Sequence, residues 1–213
     1  VKPIIIGNDS SAHDVNIFNS DFLSLQNLEI VNHGNIPLPG RSGLKVECYD
    51  YGVSHNIRIN NVTVRDVNGS LVKEEGGGSG ILIVNGGDSI LSRYENLIIE
   101  NCHILRCSRN AIIWSGYYDR RNWFPNKHTV VRNNLIEQVP GDGIVPIGCD
   151  RTLIEYNVMF DSPDILPMTE AAAGIWPWSC DNTIIQFNDV SGLKATWDAN
   201  GFDSDYNCLI TLI

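Results

Sequence analysis

The chain has 213 residues, enough for one domain or one stack of repeats with a substantial core. Its 25 Asp and Glu outweigh 15 Lys and Arg, a formal charge of −10, which sets the average field against duplex nucleic acid, anionic membranes and polyanionic sugars but not against a neutral glycan. No apolar run is long enough for a helical membrane span, so none is expected.

Taken in chain order, the first element is the apolar run from Pro3 to Ile6. The last is the run ending at Leu212 and Ile213, and neither end carries a polar capping unit. A segment of a longer solenoid, able to associate through its open ends, is the expectation. Between the ends, short apolar stretches with period-two character alternate with Asn and Gly turns. "NIRINNVTV" at 56–64, "NLIIENCHI" at 96–104 and "TVVRNNLIE" at 129–137 are early copies, and "LIEYNVMFD" and "IIQFNDVSG" are later ones. One series of stretches ends at Asn27, Asn61, Asn101, Asn134, Asn157 and Asn188. A second follows Gly43, Gly80, Ala111, Gly143, Gly174 and Gly201, at spacings of 27 to 37 residues. Units this short cannot each close a core, but a stack of them can.

Aligned on those small residues, the next position reads Leu44, Ile81, Ile112, Ile144, Ile175 and Phe202, an apolar column that must face inward. Alternation then sends one column outward as Lys45, Leu82, Ile113, Val145, Trp176 and Asp203, and a second as Glu47, Val84, Ser115, Ile147, Trp178 and Asp205. A one-residue slip in the unit at 101–114 would move Trp114 outward, and the pattern leaves that register open. Two insertions interrupt the stack, at 117–128 and 161–173. Cys149, Cys180 and Cys208 share a column in which neighbouring Cβ atoms should stand about 4.8 Å apart, beyond the usual disulfide separation of about 3.8 Å. Free thiols packed as small hydrophobes are expected. Zinc is not expected: there is no CxxC or HExxH, and the five His are scattered.

These strands resemble the all-β, right-handed parallel β-helix of pectate lyases and polygalacturonases. The segments "GDGIVPIGCDRTLIEYN", "AAGIWPWSCDNTIIQFN" and "GFDSDYNC" are similar to bacterial β-helix proteins grouped with carbohydrate-active enzymes. The resemblance spans nearly all of residues 1–213 and implies one solenoid of about six coils. It also implies a polysaccharide or oligosaccharide partner and a secreted, periplasmic or cell-surface location. The Asp-Asp pair and Gly-His-Gly expected of a polygalacturonase are absent.

The chemistry is expected at the C-terminal rungs. Asp203 and Asp205, two residues apart on one strand face, should have Cα atoms roughly 6.5–7 Å apart. Such a pair can hold one proton between them for acid–base hydrolysis, or hold Ca²⁺ as hard oxygen ligands. Trp176 and Trp178, one rung away, can offer indole faces to a sugar ring. Arg120 and Arg121 in the first insertion are candidate substrate-binding residues, and a lyase would use such an Arg as base. Asp142 is a further binding candidate, although its column (Asn110, Asp142, Ala173, Asn200) reads as small polar turn residues. Glu170 reads as a mobile surface residue. The expected function is a polysaccharide-degrading glycoside hydrolase using Asp203 and Asp205 with no cofactor; the alternatives are a Ca²⁺-assisted polysaccharide lyase with the same two as ligands and a non-catalytic glycan-binding adhesin.

Overall fold

The computed structural model describes residues 1–213. It contains no α-helix, only one-turn 3-10 segments at Lys73–Glu75 and Arg120–Asn122, and every paired strand is parallel to its neighbour. No helix is long and apolar enough to cross a membrane. The chain winds as a right-handed parallel β-helix, whose coils stack their strands into a seven-stranded, an eleven-stranded and a five-stranded sheet. The eleven-stranded sheet is two rows that meet at the longer strand Asp181–Gln186.

The expected inward column is present. Strands His13–Phe18, Ser42–Tyr49, Ser79–Gly86 and Asn110–Ser115 pair in register through Val15, Leu44, Ile81 and Ile112, and Ile144, Ile175 and Phe202 continue the stack. Leu44, Ile81, Ile112, Ile144 and Ile175 are buried, and Phe202 packs against the same core. Each buried aliphatic side chain contributes about 1.5–3 kcal/mol. Val15 adds a rung that the small-residue pattern did not reveal, because Asp14 stands where later coils carry Gly or Ala. The small residues in that column are required by closeness: a Cβ on Gly143 would lie 2.4 Å from the Gly174 carbonyl oxygen. The open register is also resolved. Trp114 pairs with Ile83 and is buried in the core, away from Trp178.

The Asn series turns out to be two columns. Asn27, Asn61 and Asn101 have positive φ, and the same turn position in later coils is held by Asn133, Tyr156 and Phe187. Asn134, Asn157 and Asn188 lie one residue further on, aligned with Cys102, and their side chains point inward to form a hydrogen-bonded ladder. The turn column tolerates Asn because Asn enters the left-handed region more readily than most residues. The ladder uses Asn for its paired donor and acceptor. All six cysteines are free, and Cys149 N–H donates to Cys180 Sγ at 3.3 Å within the shared column. Burial pushes the Cys102 thiol up to about 11 and Cys107 up to about 12, so both stay protonated and inert at neutral pH.

Candidate active site

The outer face of the five-stranded sheet changes chemistry along the stack. At its early end Lys45 and Glu47 form an ion pair at 2.8 Å. In the middle, Ile113 and Ile147 present apolar surface, and at the late end come Trp176 and Trp178. The amides of Trp176 and Trp178 donate to the carbonyls of Ile144 and Pro146 at 3.1 and 2.9 Å. Asp203 and Asp205 donate likewise to Ile175 and Pro177 at 3.2 and 3.3 Å. The two aspartates therefore occupy the rung directly after the two tryptophans, as strand parity requires.

A groove of about 530 Å³ runs over this face, lined by Ile113, Tyr118, Ile147, Trp176 and Trp178 and rimmed by Lys73 and Glu74. It shares Lys73, Trp176 and Trp178 with a small pocket of about 60 Å³ that Asp142, Asp198, Asp203 and Asp205 also line. A larger cleft of about 570 Å³ lies elsewhere, beside Asp66, Arg106, Gln138 and Asp161. There the polar groups satisfy one another, Arg106 Nε on Asp66 at 2.5 Å and Gln138 Nε2 on Asp161 at 3.0 Å. The apolar floor and the carboxylates lining its end make the groove and its small pocket the better candidate.

Within the pocket, Asp203 is partly buried and Asp205 is exposed. Asp203 Oδ1 accepts from the Ser204 amide at 2.7 Å, and Asp205 Oδ1 from the Tyr206 amide at 2.6 Å. Each carboxylate is thus steered by one local amide, with its other oxygen turned to neither side chain nor backbone. Asp198 was not anticipated. It lies outside the period-two stretches, on the two-residue strand Trp197–Asp198 that pairs with Ala171–Ala172. Asp198 and Ala199 both have positive φ, 62° and 45°. The same left-handed conformation recurs at turns along the solenoid, such as Asn101 and Asn133. The one signal in the sequence was a third Asp five residues before Asp203.

The two indoles have different surroundings. Trp176 is only 8% exposed; its Nε1 donates to Asp142 Oδ1 at 3.1 Å, and Lys73 Nζ lies 5.4 Å from its ring centroid. Trp178 remains partly open, edge-on to Trp176 at 6.2 Å and 5.3 Å from the Tyr206 ring. The open aromatic surface is therefore Trp178 with Tyr206, and Trp176 is the wall behind Trp178. Glu170 is not a mobile surface residue: it is buried, and it accepts from the Lys73 amide at 2.9 Å.

The first insertion does not bring its arginines to the pocket. Arg120 bonds Asp181 at 2.7 Å and the Asn207 carbonyl, while its guanidinium lies 4.1 Å from the Trp123 ring. Trp123 Nε1 donates to the Ser179 carbonyl at 3.0 Å. Arg121 is exposed and pairs with Asp119, whose carboxyl it holds down to about 2. These contacts fasten the insertion to the following coils, and the residue it delivers to the groove is Tyr118. No three His, Cys, Asp or Glu side chains cluster as a metal site.

No protein-family model matches the chain, and no curated protein matches it. Among solved structures, the crystal structure of the native GH136 lacto-N-biosidase from Eubacterium ramulus is similar over 93% of this chain, with a TM-score of 0.73 and 25% identity. The selenomethionine derivative of that enzyme aligns over 92%, with a TM-score of 0.68 and 24% identity. The chain spans 39% of the length of either.

Proposed function

We propose that the cleft belongs to a glycoside hydrolase acting on a neutral glycan. The observation that carries this reading is that Asp198, Asp203 and Asp205 line one pocket at the end of an aromatic-floored groove, on a β-helix similar to a lacto-N-biosidase. A sugar laid on Trp178 and Tyr206 places its glycosidic oxygen among those carboxylates. One carboxyl donates its proton to the leaving oxygen as the C–O bond breaks. The other attacks the anomeric carbon or takes a proton from the water that does.

Asp205 is one member of the pair. Its partner in this reading is Asp198, because both are exposed and come from separate elements, so that they can approach a bond from different sides. Asp203, half-buried beside Trp176, then lies beneath them and orients the sugar. The pairing of Asp203 with Asp205 is the second reading, favoured by their shared strand face. The pocket offers a single cation, Lys73, against four carboxylates, which disfavours a polyanionic substrate.

The test is product analysis. The protein is incubated with neutral host and plant oligosaccharides, a lacto-N-biosidase substrate first among them, while reducing ends and ultraviolet absorbance are followed. New reducing ends without absorbance are expected. An unsaturated, absorbing product would replace this reading with the lyase, and binding without turnover would replace it with the adhesin.

A further inference from the structure

Behind the pocket lies a buried charge cluster. Arg109 is fully buried, and its Nη2 lies 2.8 Å from the Ala171 carbonyl, 3.3 Å from Glu170 Oε2 and 3.8 Å from Asp142 Oδ2. Asp142 is 1% exposed, and its Oδ2 has no hydrogen-bond partner. Two glycines make room for the guanidinium: a Cβ on Gly141 would lie 2.7 Å from Nη1, and one on Gly77 would lie 3.1 Å from Cδ. Burying three charged groups is costly, and such a cluster is weak evidence for stability in itself. What distinguishes this one is where each arm leads.

Asp142 Oδ1 accepts from the Trp176 indole at 3.1 Å and the Ala173 amide at 3.0 Å, which fixes the wall of the pocket. Ala171 belongs to the short strand paired with Trp197–Asp198, the strand that carries Asp198. Glu170 holds the Lys73 amide, and Lys73 lines both groove and pocket. One guanidinium thus ties together the indole wall, the strand bearing Asp198 and the loop bearing the only cation of the pocket.

We propose that Arg109 is a positioning residue for this cleft, acting through Asp142 on Trp176, through Ala171 on Asp198 and through Glu170 on Lys73. The proposal rests on the hydrolase reading for its kinetic arm only. Displacing a reacting group by about 1 Å can cost roughly 100-fold in rate. Loosening the cluster should therefore lower kcat by about 10- to 100-fold and leave KM within about three-fold.

The experiment uses Arg109→Lys and Glu170→Gln, neither of which alters a group touching Trp176. In a ¹H–¹⁵N spectrum the Trp176 indole peak is assigned by its loss in Trp176→Phe. It is expected to move in both variants, with kcat lowered as above and Arg109→Lys milder than Arg109→Met. If Arg109→Lys fails to fold, Glu170→Gln carries the test. An unmoved indole peak and kcat within two-fold of wild type, with only a lower Tm, would overturn the proposal. Absence of wild-type turnover on every glycan would sink the hydrolase reading instead, and the indole peak would still decide whether Arg109 holds the wall.

Discussion

Asp205→Asn and Asp198→Asn are each expected to lower kcat by about 10²–10⁴-fold while saccharide binding survives. Asn keeps the shape of Asp and can accept from the same local amide, the Tyr206 amide in the case of Asp205, so the rung should remain intact. What it loses is the ability to hold a proton or a negative charge. Asp203→Asn is expected to weaken binding more than turnover, because its carboxylate is half-buried on the pocket wall beside Trp176. Kinetic constants of the three single variants distinguish the pairings. Loss of turnover in Asp203→Asn and Asp205→Asn, with Asp198→Asn unaffected, would return the reaction to the strand pair. Wild-type turnover in all three would make these residues ordinary turn aspartates.

Asn157→Leu is expected to destabilise the solenoid by about 1–3 kcal/mol, the cost of leaving a buried donor unsatisfied. Asn157 is 1% exposed. Its Oδ1 accepts from the Asn134 amide at 3.1 Å and side chain at 2.9 Å. Its Nδ2 donates to the Val131 carbonyl at 3.0 Å and Asn188 Oδ1 at 2.9 Å. Leu fills the same space but leaves the Asn134 amide without its acceptor, while Asn134 Nδ2 keeps the Ile99 carbonyl and Asn188 Oδ1 keeps the backbone amide of residue 157. Asn101→Gly, in the exposed left-handed column, should shift stability by less than about 1 kcal/mol because Gly adopts positive φ freely. Urea unfolding compares the two. Equal shifts in midpoint would contradict the division of the asparagines into two columns.

That division shows how far the sequence could be read. Strand parity is local, so it placed Leu44 through Phe202 inside and set Asp203 and Asp205 one rung beyond Trp176 and Trp178. Asn at a run end has two uses, a left-handed turn and an inward ladder. Only the pairing between coils shows that Asn101 serves the first and Asn134 the second. Trp114 was ambiguous for the same reason. Apart from Arg121, which pairs with neighbouring Asp119, the misplaced site residues depend on contacts between distant segments. Glu170 meets Lys73 across 97 positions, Arg109 meets Ala171 across 62, and Arg120 meets Asp181 across 61. Asp198 sits on a two-residue strand too short to show any period.

The central claim is that glycosidic bonds are cut where Asp198 and Asp205 face the end of the tryptophan groove. The most direct measurement is a crystal structure of the Asp205→Asn protein with an uncleaved oligosaccharide substrate. The account predicts a sugar ring stacked on Trp178 and Tyr206. It also predicts a glycosidic oxygen within hydrogen-bond reach of one of the two positions, with the other on the opposite side of the bond. A saccharide lodged in the polar cleft beside Asp66, Arg106 and Gln138, with the tryptophan groove empty, would contradict it.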